Sequence, residues 1–220
     1  MLEESHFLIR KFEGRDREAL RQIMHDTAFM GQSAEIFFQG REVFTDALTL
    51  YFTDYEPESS WVAEVNSEIV GCLIGTQDKR KAEAIFKNKI FFSLLWRAFK
   101  NGVFWRKKNI IFLLSCLKDA LKGNFVAPDF TALYPATLHI NVKAGFRGRN
   151  IGSGLMRAFL SYLKENNIAG VHLATMSQAG ADFFTQESFQ LLYTGSRSYF
   201  RHILGKDVML YIYGLKLECF

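Results

Sequence analysis

Residues 136 to 175 constrain this chain more than any other stretch. Ala136 to Val142 is a β-rich run that follows Pro135, and a glycine- and arginine-rich loop comes after it. From Gly152 to Asn166, Leu155, Met156, Phe159, Leu160 and Leu163 fall on one apolar stripe at helical spacing, and Ile168 to Thr175 is a second β-rich run. A strand, a helix and a second strand in this order return the chain in its original direction. The two strands are then parallel neighbours joined by a right-handed crossover. That excludes an all-helical bundle and an all-β sandwich and predicts an α/β fold.

The flanking sequence supplies the remaining elements. His6 to Phe12 reads as a first strand ended by Gly14. Asp16 is placed to cap a helix carrying Ala19, Leu20, Ile23, Met24 and Thr27, and Arg41 to Phe52 repeats the pattern after Gly40. Ser60 to Val65 and Glu68 to Gly75 flank Asn66-Ser67, which predicts a hairpin. A helical insertion occupies about 79 to 130, with two amphipathic segments around Asn101-Gly102. After the crossover unit come a short helix over Ala179 to Glu187 and two strands, Phe189 to Tyr193 and Val208 to Leu215, separated by the polar stretch Thr194 to Asp207. The whole of 1–220 reads as a single domain with a mixed central sheet: at 220 residues and 49% apolar, the chain is long enough to bury a sizeable core.

Charge is uneven. Residues 79 to 122 hold 12 Lys/Arg against Glu83 and Asp119, a net +10 in a chain whose total is +4. Aromatics are dense there too: Phe91, Phe92, Trp96, Phe99, Phe104 and Trp105. Five uses fit such a segment: packing over the domain, a lid on an acceptor site, a homodimer contact, a membrane surface, or nucleic acid. No nucleic-acid motif is present, so no nucleic-acid partner is expected. No apolar run approaches the 18 to 20 or so residues needed for a transmembrane segment. The acidic start Met1 to His6 lacks the features of a secretory signal, and Cys72, Cys116 and Cys219 are odd in number and scattered, so a cytoplasmic protein with reduced thiols is expected. The five histidines lack ligand spacing, so no metal is expected. Gly152-Ser153-Gly154 has the wrong glycine positions for a nucleophile elbow.

The chemistry points to the loop Lys143 to Ser153. Gly148, Gly152 and Gly154 let a ligand approach the main chain, Asn150 tolerates a left-handed backbone, and the following helix start presents unpaired N–H groups and a positive dipole end. With Arg147 and Arg149 alongside, this is a cradle for a diphosphate. Neither a Rossmann nor a Walker glycine pattern occurs.

Arg147-Gly148-Arg149-Asn150-Ile151-Gly152, between a strand and a helix, resembles the acyl-CoA pyrophosphate motif Q/R-x-x-G-x-G/A of the GNAT superfamily of N-acetyltransferases, with Asn150 in place of its first glycine. The element order is similar to that family over nearly all of residues 6 to 215, apart from the insertion. The resemblance implies a GNAT fold in which two parallel strands splay around the pantetheine arm of acetyl-CoA. It implies that Ile140, Asn141 and Val142 offer backbone groups to pantetheine and the thioester, and that Arg147, Gly148, Arg149, Asn150, Ile151, Gly152 and Ser153 hold the pyrophosphate. The implied activity is acetyl transfer from acetyl-CoA to a primary amine of a small molecule or protein, by direct attack in a ternary complex.

The family's later motif, N-x-x-A-x-x-x-Y-x-x-x-G-F, falls on Ser177, Gly180, Phe184, Ser188 and Phe189. Ser177 and Phe184 therefore belong to the expected cofactor site, and the family's acid Tyr is replaced by Phe184, which has no proton to give. For a general base the candidates are His139, with an ordinary pKa of about 6.5, Glu64 before the hairpin turn, and Tyr134. The missing acid keeps a second reading open, a non-catalytic acyl-CoA-binding or protein-interaction module of the same fold.

Overall fold

The computed structural model describes residues 7 to 218; His6 with the rest of the acidic start, and Cys219, lie outside the described residues. Asn66 and Ser67 both take positive φ, 49° and 65°. That is the two-residue turn whose twist suits antiparallel strands, and it joins β2 (Ser60–Val65) to β3 (Glu68–Thr76). With β1 (Leu8–Lys11), β4 (Ala136–Val142), β5 (Gly170–Thr175), β6 (Gln190–Arg197) and β7 (Val208–Lys216) they form a seven-stranded sheet in the order β1-β2-β3-β4-β5-β7-β6. Every neighbouring pair is antiparallel except β4 and β5, which are parallel.

The helices are α1 (Arg17–Thr27), α2 (Arg41–Asp54), α3 (Lys79–Ile85), α4 (Phe91–Lys100), α5 (Lys107–Leu121), α6 (Ile151–Glu165), α7 (Gln178–Gln186) and α8 (Arg201–Leu204). Strand alternation sends Trp61, Leu73, Leu138 and Leu173 to one face, where Leu155, Phe159 and Leu163 of α6 cover them. Val62, Cys72 and Ile74 go to the other face, under Leu20, Ile23 and Met24 of α1. Gly75 makes the first core possible: a Cβ there would lie 2.5 Å from the Phe159 ring, which is fully buried. Gly75→Val is accordingly expected to destabilise the protein by about 2 to 3 kcal/mol through overpacking, read as a lower urea midpoint; an unchanged midpoint would show that Phe159 is free to repack.

The structure corrects several expectations. Asp16 precedes α1 but does not cap it; its carboxylate accepts from Arg10 at 2.6 and 2.8 Å and from the Glu13 amide at 2.9 Å. The polar stretch after Tyr193 is not all loop: β6 continues to Arg197 because its backbone pairs with β7 as far as Arg197 and Val208, and α8 follows. The insertion has three helices rather than two, α3 and α4 being joined by a π-turn over Phe86–Ile90. Gly102 ends the α4 segment in the left-handed region, at φ 65°.

The insertion is fastened to the body. Ile90 and Leu94 pack on Tyr51 of α2, and Ala98 packs on Val43. Asn109 is fully buried, accepting from the Gln39 amide at 2.6 Å and donating to the Gln39 and Val103 carbonyls. Asp119 accepts from the Ser198 amide at 3.1 Å. Among the described residues no helix is long and apolar enough to cross a membrane.

His172 ties the start of the insertion to β5. Its Nδ1 lies 2.6 Å from the Tyr134 carbonyl and its Nε2 3.3 Å from Lys79 Nζ. The neutral ring that donates through Nδ1 and accepts through Nε2 fits both contacts. Burial lowers its pKa below 6.5. The unfolded chain then takes up the proton first, so this stabilisation is complete above the unfolded pKa and is lost as pH falls through the folded one. The melting temperature is expected to fall from about pH 7 to about pH 5, and His172→Gln is expected to make that slope shallower; an identical slope would discard the assignment.

Candidate functional site

Only Ala136–Val171 and Thr137–His172 pair across β4 and β5. Beyond them the two strands separate, while β4 stays bonded to β3 along its whole length, from Thr137–Thr76 to Val142–Gly71. A wedge therefore opens between the C-terminal ends of β4 and β5. The Lys143 amide donates to Val70 O at 2.9 Å; counting back by alternation, Asn141 and His139 spend their main-chain groups on β3, whereas Leu138, Ile140 and Val142 turn theirs to the wedge. Asn141, expected to offer its backbone there, faces β3 and donates its side-chain amide to Thr27 Oγ1. The Val142 carbonyl accepts from Arg147 Nε at 3.0 Å. Ile140 is left with both groups facing the opening.

The loop and the start of α6 stand at the mouth of the wedge. Gly148 and Asn150 take left-handed backbones, at φ 75° and 61°. A Cβ at Gly148 would meet nothing within 4 Å among the described residues. Among the described residues no side chain caps α6, in contrast to α3 and α7, which Asp78 and Ser177 cap. Gly154 N donates to Asn150 O at 3.0 Å, and the amides of Ile151, Gly152 and Ser153 have no protein acceptor among the described residues. Three N–H groups at a positive dipole end make an anion seat. Gly152 turns its Cα toward α7, where an added Cβ would lie 3.1 Å from the Phe183 ring.

The side chains around this seat have more structural work than their residue types suggested. Arg147 stitches the loop to the segment after α1, donating to Gly31 O at 3.1 Å as well as to Val142 O. Arg149 lies over the Phe146 ring at 5.1 Å and has no carboxylate partner among the described residues. Ser153 donates its hydroxyl to Glu187, and Ser177 accepts from Gly180 N at 2.9 Å. Phe184 is buried against Phe183, Phe189 and Tyr213, at ring separations of 5.2, 5.8 and 6.1 Å.

Of the three candidate bases, the structure leaves one free. Glu64 accepts from Arg10 Nε at 2.9 Å, and Arg10 also holds Asp16, so this carboxylate belongs to an ion cluster on the β1 side of the sheet. Tyr134 is buried in the space left by Gly170 and Gly214, at the end where β4 and β5 still pair. His139 is exposed to solvent yet crowded by protein, with its ring edge-on to Phe52 at 6.1 Å and no hydrogen bond among the described residues. Crowding lowers its pKa below the ordinary 6.5. It stands on the α1–α2 face of β4, opposite Leu138 and Ile140.

Sequence reasoning missed an aromatic cluster on that same side. Phe29 and Phe37 follow α1, Phe200 follows β6, and their ring centroids are 4.9 to 5.7 Å apart. Tyr199 donates to Met176 Sδ at 3.1 Å, just beyond the end of β5. The aromatic pairs Phe37-Phe38 and Tyr199-Phe200 inside polar loops were the available signal.

No family model and no curated sequence matches the chain. Solved structures do. SsHAT is 26% identical, with 96% of this chain and 98% of that one covered at a TM-score of 0.68. The yncA protein of Salmonella typhimurium, solved with its cofactor acetyl-CoA, is 13% identical, with coverage of 96% and 94% and a TM-score of 0.56. A GNAT-family acetyltransferase of Streptococcus pneumoniae is 15% identical, with coverage of 97% and 100% and a TM-score of 0.56.

Proposed function

We propose that this chain, which has the GNAT fold, transfers an acetyl group from acetyl-CoA to a primary amine. The observation that carries the reading is the coincidence at one mouth of two unsatisfied backbone arrays, the open edge of β4 at Ile140 and the uncapped first turn of α6. An extended amide-bearing arm suits the first, and a diphosphate suits the second. The open space at Gly148 gives that diphosphate room beside the main chain.

Acetyl-CoA supplies an activated acyl group as a thioester. The protein supplies position and a proton acceptor. His139, an imidazole whose pKa lies lowered from the ordinary value of about 6.5, is suited to take a proton from an ammonium, directly or through one water. The Phe29, Phe37 and Phe200 cluster lies on the side of the sheet on which His139 stands. Phe184 cannot donate a proton, but a leaving thiolate with a pKa near 8.5 is readily protonated by water.

Phe184 also favours a second reading, binding of acyl-CoA without turnover. Titration calorimetry with acetyl-CoA and a thiol-release assay over a panel of primary amines separate the readings. Binding with amine-dependent release supports the transferase, binding without release selects the second reading, and absence of binding removes both.

A further inference from the structure

We infer that α4 and the turn leading into α5 seat this protein on an anionic lipid surface, a property independent of the proposed acetyl transfer. On α4, Phe91, Phe92, Leu95, Trp96 and Phe99 share one side of the helix, and Trp105 extends it: the Phe99 and Trp105 rings are 6.4 Å apart. Phe92 and Trp105 are each 69% exposed, Trp96 57% and Phe99 54%. Isolated exposed apolar residues need no explanation, but a contiguous aromatic band does.

The band is held outward. Ile90, Leu94 and Ala98 occupy the opposite side of the same helical stretch and are buried on α2, and Arg97 is ion-paired to Asp46. Rotation of α4 to hide the aromatics would strip that packing.

Charge identifies what covers the band. Lys87, Lys89, Lys100, Arg106 and Lys107 are exposed and have no carboxylate partner among the described residues. From Phe86 to Leu121 the only acidic residue is Asp119, which is buried on Ser198. An aromatic band rimmed by cations alone matches an anionic bilayer, with rings at the headgroup level and ammonium groups against lipid phosphates and carboxylates. A second copy of this chain fits less well, because a two-fold contact through this face brings the cations of one copy against those of the other, with no exposed carboxylate between Phe86 and Leu121 to pair them.

The test is co-sedimentation with vesicles of phosphatidylcholine alone or mixed with phosphatidylserine, at low and high salt. The protein is expected to pellet with the mixed vesicles, less so as salt rises, and to stay largely in solution with phosphatidylcholine alone. Phe92→Ser with Trp96→Ser, both exposed and remote from the acetyl-CoA loop, is expected to lower the partition coefficient at least about tenfold. Lys89→Glu with Lys100→Glu is expected to lower it similarly. Unchanged circular dichroism and acetyl-CoA affinity keep the variants comparable with the parent. The inference is overturned by absence of phosphatidylserine-dependent pelleting, by pelleting that neither variant alters, by equal retention on a random DNA duplex, or by a dimer that Trp96→Ser dissociates in a protein that ignores vesicles.

Discussion

Gly152→Asp is expected to weaken acetyl-CoA binding by about a hundredfold or more while the protein stays folded. The seat at the start of α6 is built from three amides without acceptors among the described residues. A carboxylate in the first turn is favoured by the same dipole that favours a diphosphate, so it competes for the amides and repels the ligand's charge. Losing or opposing two charge-assisted hydrogen bonds of about 1.5 to 3 kcal/mol each gives that factor. The Phe183 ring, 3.1 Å from an added Cβ, complicates the variant, since any side chain here pushes the ring by a few tenths of an ångström. Gly152→Ala carries that displacement without the charge and is expected to bind within about tenfold of the parent. Calorimetry on both reads the difference; equal affinities for Asp and Ala would place the diphosphate elsewhere.

His139→Gln is expected to lower kcat by about a hundredfold with little change in acetyl-CoA affinity, the usual contribution of a positioned base. The sign of the pH effect follows from the lowered pKa. The parent's imidazole stays neutral below 6.5, so the acidic limb of kcat against pH should lie below 6.5 and vanish in the variant. A variant that keeps the limb and the rate would leave His139 as a residue of the cleft floor, packed on Phe52.

These two residues differ in how they came to light. Gly152 lies in a local pattern, a strand end, a glycine-bearing loop and an amphipathic helix, and local patterns report local backbone. The left-handed Asn150, the α6 span and the Asn66-Ser67 turn were legible for that reason. In the sequence His139 stands ahead of Glu64 and Tyr134 for its ordinary pKa alone, and the sequence does not show whether its strand turns it toward the site. The structural ground for that order lies in neighbours far along the chain: Arg10 occupies Glu64 across 54 residues, and Gly170 and Gly214 make room to bury Tyr134. Arg147 is similar; its residue type suggested a phosphate ligand, and its contact with Gly31, 116 positions away, makes it a stitch between loop and body. β6 was read too short because its polar residues carry no apolar alternation, whereas its pairing with β7 is a main-chain property that composition does not reveal.

The amino-acid order alone determined the crossover unit, the parallel pair it enforces, the glycine-lined helix start and the concentration of cations and aromatics between β3 and β4. Each is a matter of spacing along one segment, where propensity and periodicity act directly. Folding in three dimensions decided where β4 and β5 part, which carboxylates and guanidiniums are already engaged, that Phe184 is core, and that the band on α4 faces outward. Those outcomes depend on which distant residues compete for the same space and the same hydrogen bonds, and that competition is settled only when the whole chain has packed.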